Sequence, residues 1–89
     1  MTREIVLKNH LEQTFKVWFY FEQLYECQLN PIGQLKPIEG YVVYFNFSEP
    51  TAIIHGELIR KDKSPIFFDT IEEGLEYGIR LVKRTWNLK

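Results

Sequence analysis

His55 and Glu57 are the pair of residues in this 89-residue chain best placed for acid–base chemistry. They lie two positions apart in a segment predicted to be a strand, so their side chains project from the same face. An imidazole beside a carboxylate could act as a base with an orienting partner. Such a pair still needs a nucleophile, but the chain has no Gly-x-Ser-x-Gly elbow, and its single cysteine, Cys27, is expected to be a buried, reduced thiol. We therefore predict that the protein is not an enzyme.

The residue spacings of metal and phosphate sites are also missing from the sequence. The two histidines, His10 and His55, and the one cysteine stand apart, without the clustered spacing of a zinc site. The five glycines never gather into a phosphate-binding loop. We expect no metal and no cofactor.

Between residues 15 and 29 the apolar side chains occupy every second position, which is typical of a strand with one buried face. The series consists of Phe15, Val17, Phe19, Phe21, Tyr25, Cys27 and Leu29, interrupted by Gln23. The alternate positions carry Trp18, Tyr20 and Leu24 among polar residues. Both faces of the predicted strand therefore need to be covered. The pattern fits one bent strand or two strands that meet near Gln23.

Further strands follow from the alternation of apolar residues and from turn-forming residues. Residues 30–37, with two prolines and a glycine, predict a connection, and a second strand begins after Gly40 and runs to Phe47. A turn at residues 48–51 then brings residues 52–60 back antiparallel as a third strand. Residues 1–13 are ambiguous, because residues 5–7 fit a short strand while Leu7 and Leu11 fit a helical stripe.

A C-terminal helix over residues 70–87 is predicted from its start signals and its apolar stripe. Asp69 and Thr70 each precede a glutamate by three residues, which provides two overlapping capping boxes. The stripe consists of Ile71, Leu75, Gly78, Ile79, Val82 and Trp86. Glycine in a helix costs about 0.5–1 kcal/mol relative to alanine. Gly74 and Gly78 therefore indicate close packing of the helix against its own sheet or against a second chain.

Together these elements predict an α+β fold with a single domain over residues 1–89, in which an antiparallel sheet of three to five strands packs one face against the C-terminal amphipathic helix. The net charge of −1 provides no field to attract phosphate or anionic lipid. No apolar run approaches the length of a membrane span, and the first residues lack the pattern of a signal peptide. We expect a protein of the reducing cytoplasm that does not contact membranes.

One helix can cover only one side of this sheet, and the opposite side is called the second face. The residues expected on the second face are Trp18, Tyr20, Leu24, Val42 and Tyr44. Its three large aromatics, at about 150–250 Å² each, would expose roughly 450–750 Å², and apolar patches of that size mark interaction surfaces. We predict a small protein-interaction module, such as an adaptor, inhibitor or immunity-type protein, which binds its own copy or another protein through these residues.

Three alternatives stay open. One is a small enzyme built around His55 and Glu57, for which no substrate can be proposed. In the second, the aromatics of the second face could stack the bases of a single-stranded nucleic acid, although the chain lacks the basic residue and glycines of the usual RNA-recognition strand, and its near-neutral charge argues against it. In the third alternative, the sheet curls strongly or residues 1–13 fold across the second face. Trp18 and Tyr20 would then be buried within a monomer.

Overall fold

A computed structural model describes residues 1–29 and 32–89, and its description of side chains leaves out residues 26–29 and 35–38. The main sheet consists of β1 (Thr2–Lys8), β2 (Thr14–Leu29), β3 (Leu35–Asn46) and β4 (Glu57–Leu58). Two short strands, β5 (Arg60–Lys61) and β6 (Ser64–Pro65), form a separate pair, and helix α1 runs over Ile71–Thr85.

The main sheet is antiparallel throughout, and strands that follow one another in the chain are neighbours in the sheet, in the order β1-β2-β3-β4. Ile5 lies opposite Val17, and Phe19 lies opposite Phe45. Helix α1 packs on the face that carries Val17, Phe19 and Phe45. This arrangement confirms the predicted α+β fold with an antiparallel sheet and one C-terminal helix.

Strand β2 is a single strand of 16 residues, so the alternating run is one strand and not two. Val17, Phe19 and Phe21 are buried beneath the helix, whereas Trp18 and Tyr20 on the other face are only partly exposed. The predicted alternation is therefore confirmed over this part of β2. Further along the strand, Tyr25 is 66% exposed. The predicted burial of Cys27 lies outside the described side chains.

The ambiguous N-terminal segment forms a strand. Residues 2–8 pair along the edge of β2, from Thr2 opposite Tyr20 to Lys8 opposite Thr14. They extend the sheet in its own plane and do not cross the second face. The turn that follows is held by Asn9, whose side-chain oxygen accepts hydrogen bonds from the backbone N–H groups of Leu11 and Gln13 at 2.9 and 3.0 Å.

The predicted third strand over residues 52–60 is wrong for most of its length, because only Glu57–Leu58 pair with β3. The Thr51 hydroxyl accepts hydrogen bonds from the backbone N–H groups of residues 53 and 54, at 3.4 and 3.0 Å, and closes a turn. Gly56 then has a φ of +116°, and a Cβ there would collide with the carbonyl oxygen of Phe45. The chain therefore joins the sheet only after Gly56, and residues 47–56 form a long connection.

The boundaries of β3 also differ from the prediction. The strand begins at Leu35 and not after Gly40, so the connection from β2 is shorter than residues 30–37. Residues 30 and 31 of that predicted connection lie outside the described residues. Phe68 forms an isolated bridge with Tyr41 on the outer side of β3.

Helix α1 begins as its sequence predicts. Thr70 is the N-cap, and its hydroxyl accepts a hydrogen bond from the backbone N–H of Glu73 at 3.2 Å. Acidic residues occupy the first turn and basic residues the last, which complements the helix dipole. The helix ends at Thr85, two residues earlier than predicted.

The two helix glycines allow α1 to lie close to its own sheet. A Cβ on Gly74 would come within 2.7 Å of Val43 Cγ2, and one on Gly78 within 2.7 Å of Phe19 Cε1. These contacts confirm packing on the sheet of the same chain. Beyond the helix, Trp86 packs edge-on against Phe45 and Phe47, with ring centroids 5.6 and 5.0 Å apart.

One apolar core lies between the sheet and the helix. Its buried members are Leu7, Val17, Phe19, Phe21, Val43, Phe45, Ile59, Phe68 and Val82. The molecule is nevertheless elongated, with extents of 54 × 26 × 20 Å. Sixteen residues of strand span about 53 Å at roughly 3.3 Å each, so the long axis matches the length of β2.

Candidate interaction surface

The second face is built from positions that alternate with the core positions of β2 and β3. Tyr20 lies directly opposite Tyr44, and Trp18 lies opposite Asn46. Because the side chains of directly opposite residues share a face, these four form two adjacent rows. Glu22 opposite Val42 forms the next row toward the far end of β2.

The five residues predicted to bind a partner differ in how far they reach the surface. Trp18, Tyr20, Leu24 and Tyr44 are partly exposed. Val42 is buried, with 1% of its surface exposed. Val42 therefore does not contribute to the exposed surface of this face.

His55 covers part of the second face, which the sequence pattern did not predict. Its ring stacks on Tyr20 with centroids 4.1 Å apart and an angle of 2° between the planes. It also meets the Tyr44 ring at 5.5 Å and 62°. The connection of residues 47–56 therefore lies over the middle of this face. The tyrosines therefore expose less apolar area than two fully exposed tyrosine side chains would.

The predicted His55–Glu57 pair is not brought together. Glu57 lies opposite Phe45, a residue of the helix-side core, whereas His55 stacks on Tyr20 on the second face. The positive φ of Gly56, between them, breaks the alternation that would have placed both on one face. The buried Nδ1 atom of His55 has no hydrogen-bond partner among the described residues. Within the part of the chain that the structure describes, no carboxylate therefore bonds Nδ1 of this imidazole.

The environment of Tyr44 favours its neutral phenol. Burial of the side chain raises the pKa of Tyr44 above its usual value of 10.0, and the nearby Glu22 carboxylate and Tyr20 raise it further. The positive charge of Arg60 acts in the opposite direction. Tyr44 thus experiences the charge of one acidic and one basic side chain.

Two isoleucines project from the connection of residues 47–56. Ile53 is 91% exposed and Ile54 is 62% exposed. They stand on a defined turn, because the Thr51 N–H donates to the carbonyl of Ile54 at 2.8 Å and the Thr51 hydroxyl accepts from both isoleucine N–H groups. The apolar surface next to His55 is therefore carried by an ordered part of the chain.

The charges on the second face are balanced. Lys16 Nζ lies 3.4 Å from Glu4 Oε1. Glu4 is the residue of β1 directly opposite Trp18. Glu22 and Arg60 provide one charge of each sign near Tyr44. An exposed pair of this kind adds little stability but keeps the rim of the surface polar.

The rest of the described chain does not gather the groups of a metal site. A groove of about 350 Å³ lies on the helix side, between β4 and the last turns of α1, and its only acidic lining residue is Glu57. The residues that the structure describes contain no cluster of three histidine, cysteine, aspartate or glutamate side chains able to hold a metal ion. Among the described helices, none has the length and apolar character needed to cross a membrane.

No family model, curated protein or solved structure matched this chain. Its function is therefore argued from the geometry of its own surfaces.

Proposed function

We propose that the protein is a non-enzymatic interaction module that binds a partner protein through the second face, together with Ile53 and Ile54 beside it. The observation that carries the proposal is the exposure of these two isoleucines, 91% and 62%, on a turn held by its own hydrogen bonds. Fully burying an isoleucine contributes about 1.5–3 kcal/mol. A partner that covers this turn would gain that free energy without having to order the turn first.

The residues of the second face are those that protein interfaces use. Tryptophan and tyrosine are frequent among the residues that dominate binding energy, and Trp18, Tyr20 and Tyr44 are all partly exposed here. The Lys16–Glu4 ion pair supplies a polar edge. An apolar centre with a polar rim is the usual anatomy of a protein–protein interface.

The same features give less support to a single-stranded nucleic acid as the ligand. Stacking proteins present open aromatic rings along a basic groove. Here one face of the Tyr20 ring is already occupied by His55, and Glu4 and Glu22 stand among the aromatics. A protein partner agrees with both observations.

The proposal is tested by removing the apolar turn while leaving the fold intact. In the double variant Ile53→Ser, Ile54→Ser, we expect the affinity for the partner captured from the source cells to fall about a hundredfold or more, given the burial of two isoleucines. The matched control is Leu11→Ser, because Leu11 is 79% exposed in the turn between β1 and β2, outside the second face. Binding that survives in the double variant would contradict the proposal.

A second copy of the chain and a different protein could both cover this surface. The mass of the purified chain in solution, measured with and without the two serine substitutions, separates these cases. A dimer that the substitutions dissociate identifies the partner as a second copy. A mass that they leave unchanged, with loss of the captured partner, identifies a different protein.

A further inference from the structure

The outer edge of β2 has an unpaired stretch among the described residues. Strand β1 pairs with β2 from Thr14 to Tyr20, and Met1 adds one more pair at Phe21. Strand β3 pairs with the other edge of β2 as far as Leu29. From residue 22 to residue 29, therefore, no described strand lies against the outer edge. A long open edge is a template for the addition of another strand.

The hydrogen bonds between Met1 and Phe21 show which residues of β2 direct their backbone groups to the outer edge. The Phe21 N–H donates to the Met1 carbonyl at 2.8 Å, and the Met1 amino group donates to the Phe21 carbonyl at 3.3 Å. Because the backbone groups of a strand point to alternate sides, the N–H and C=O groups of Gln23, Tyr25 and Cys27 also point to the outer edge. With respect to the described strands, these three residues offer donors and acceptors without a partner strand, at a regular spacing.

Each of the other edges of the sheet carries at least one group that is blocked or already hydrogen-bonded. On the outer edge of β3, Pro37 occupies an outward-facing position and has no N–H to donate, and Tyr41 is already bridged to Phe68. On the outer edge of β1, the Lys8 carbonyl accepts a hydrogen bond from the Lys89 N–H at 2.7 Å. Residues 22–29 contain neither a proline nor a lysine.

We propose that this edge pairs with the same edge of a second copy of the chain, antiparallel, about a two-fold axis that passes between the two Tyr25 residues. A two-fold axis perpendicular to an antiparallel sheet requires a residue to lie opposite its own copy, and Tyr25 is the middle one of the three residues whose backbone groups point to this edge. Gln23 then lies opposite Cys27 of the second copy. This register forms three hydrogen-bonded pairs with two bonds each. The pairing ends before Phe21, because the backbone groups of Phe21 are already hydrogen-bonded to Met1.

The residues of this edge favour the register with the axis at Tyr25 over the register with the axis at Glu26. With the axis at Tyr25, Glu22 lies opposite Gln28 of the second copy, and Glu26 lies opposite Leu24. With the axis at Glu26, the two Glu26 residues would face each other, and like charges directly opposite are destabilising. At the axis, the two Tyr25 side chains, each 66% exposed in the single chain, would form a cross-strand aromatic pair.

The pairing would place both helices on one side of a continuous sheet and both second faces on the other, because the axis is perpendicular to the sheet. It uses the backbone edge of β2 and neither Ile53 nor Ile54. The inference therefore does not depend on the proposed function, and either can fail alone.

The first test removes one outward donor. Tyr25→Pro deletes an N–H that points away from β3, so the β2–β3 ladder keeps its bonds. We expect the solution mass, by light scattering across a concentration series, to change from twice 10.7 kDa to 10.7 kDa, with dimer affinity at least about tenfold weaker. Tyr25→Ala keeps the N–H and should dissociate less than Tyr25→Pro. A chain that stays at 10.7 kDa up to millimolar concentration overturns the proposal.

The second test traps the register through the native cysteine. Opposite residues of a hydrogen-bonded pair have Cα atoms about 5.5 Å apart, which is within the range that a disulfide bridges. Gln23→Cys should therefore form a covalent dimer with Cys27 of the second copy under mild oxidation, and the bond should disappear when Cys27 is replaced by serine. Glu22→Cys, one position away, projects to the opposite face and should not form this bond. Equal cross-linking of the two variants, or none in Gln23→Cys, overturns the register.

A comparison of the two sets of variants separates the two proposals. If Tyr25→Pro dissociates the dimer, the edge pairing is supported. If partner binding in the same protein is insensitive to the isoleucine substitutions, the proposed function is contradicted. A dimer that resists Tyr25→Pro but is lost in Ile53→Ser, Ile54→Ser would contradict the edge pairing.

Discussion

Tyr20, Tyr44 and His55 form a compact group of rings on the second face, with each pair of centroids between 4.1 and 6.0 Å apart. His55 connects the long loop of residues 47–56 to the sheet through this group. Aromatic pairs of this geometry contribute about 0.5–1.5 kcal/mol beyond their burial. The group therefore fixes the position of the loop that carries Ile53 and Ile54.

The titration of Tyr44 tests the charge environment of this group. We expect Glu22→Gln to lower the pKa of Tyr44 relative to the unchanged protein, because the Glu22 carboxylate is one of the causes that raise it. The measurement is an NMR titration of ¹³C-labelled tyrosine. Glu39→Gln is the control, because Glu39 lies opposite Tyr25 and not beside Tyr44. A Tyr44 pKa that does not respond to Glu22→Gln would contradict this view of the site.

The same shift determines how stability depends on alkaline pH. Since the pKa of Tyr44 is higher in the folded chain than in the unfolded one, the unfolded chain loses this proton first. The contribution of Tyr44 is therefore fully present below about pH 10, and it is lost as the pH rises through the folded-state pKa. Removing Glu22 should make this loss smaller.

At the level of single residues, the sequence predicted local features better than distant contacts. The cap at Thr70 and the alternate faces of Trp18 and Phe19 follow from neighbours within a few positions of each residue, and the structure confirms both. The stacking of His55 on Tyr20 joins residues 35 positions apart. It depends on the path of the loop, which no local pattern encodes, and for this reason the exposed aromatic area was overestimated.

The packing of α1 on the sheet depends on the two glycines that face it. Gly74 contacts the Val43 side chain and Gly78 contacts the Phe19 ring, and both partners belong to the buried core. Neither partner is the mobile end of a long side chain. The helix therefore has little room for a larger residue at either position.

Gly78→Ala tests this close approach. Alanine gains about 1 kcal/mol of helix propensity over glycine, but overpacking of a filled core costs about 1–3 kcal/mol. Because the added Cβ would lie 2.7 Å from Phe19 Cε1, we expect a lower free energy of unfolding, by up to about 2 kcal/mol. Urea unfolding measures the change. The control Glu76→Ala lies on the exposed side of α1 and should change it by less than about 0.5 kcal/mol; a more stable Gly78→Ala protein would contradict the packing.

The elements themselves were predictable where a pattern was long. Fifteen residues of apolar alternation defined β2, and a capped amphipathic stripe defined α1. Residues 52–60 alternate too, but the Thr51 turn and the positive φ of Gly56 interrupt them. A short alternating run does not reveal whether a glycine within it adopts a strand conformation or ends the strand.

At the scale of the whole molecule, the two sides of the sheet are covered to different extents. The helix covers the core side of the sheet, whereas the second face is covered in part by residues 47–56. The length of β2 also carries the β2–β3 pair past the point where β1 ends. The second face could be predicted from the sequence, since Trp18 and Tyr20 alternate with the core residues. The open edge of β2 could not be predicted, because its position depends on where the pairing with β1 ends along β2.

Site-specific photo-cross-linking tests most directly whether a partner covers this side of the molecule. A photoreactive benzoylphenylalanine at position 53, in protein expressed in the source cells, should yield a discrete adduct of higher mass, because Ile53 would be buried against the partner. The same amino acid at position 11 should yield none, although Leu11 is also highly exposed. Adducts of equal yield from both positions, or none from position 53, would contradict the account.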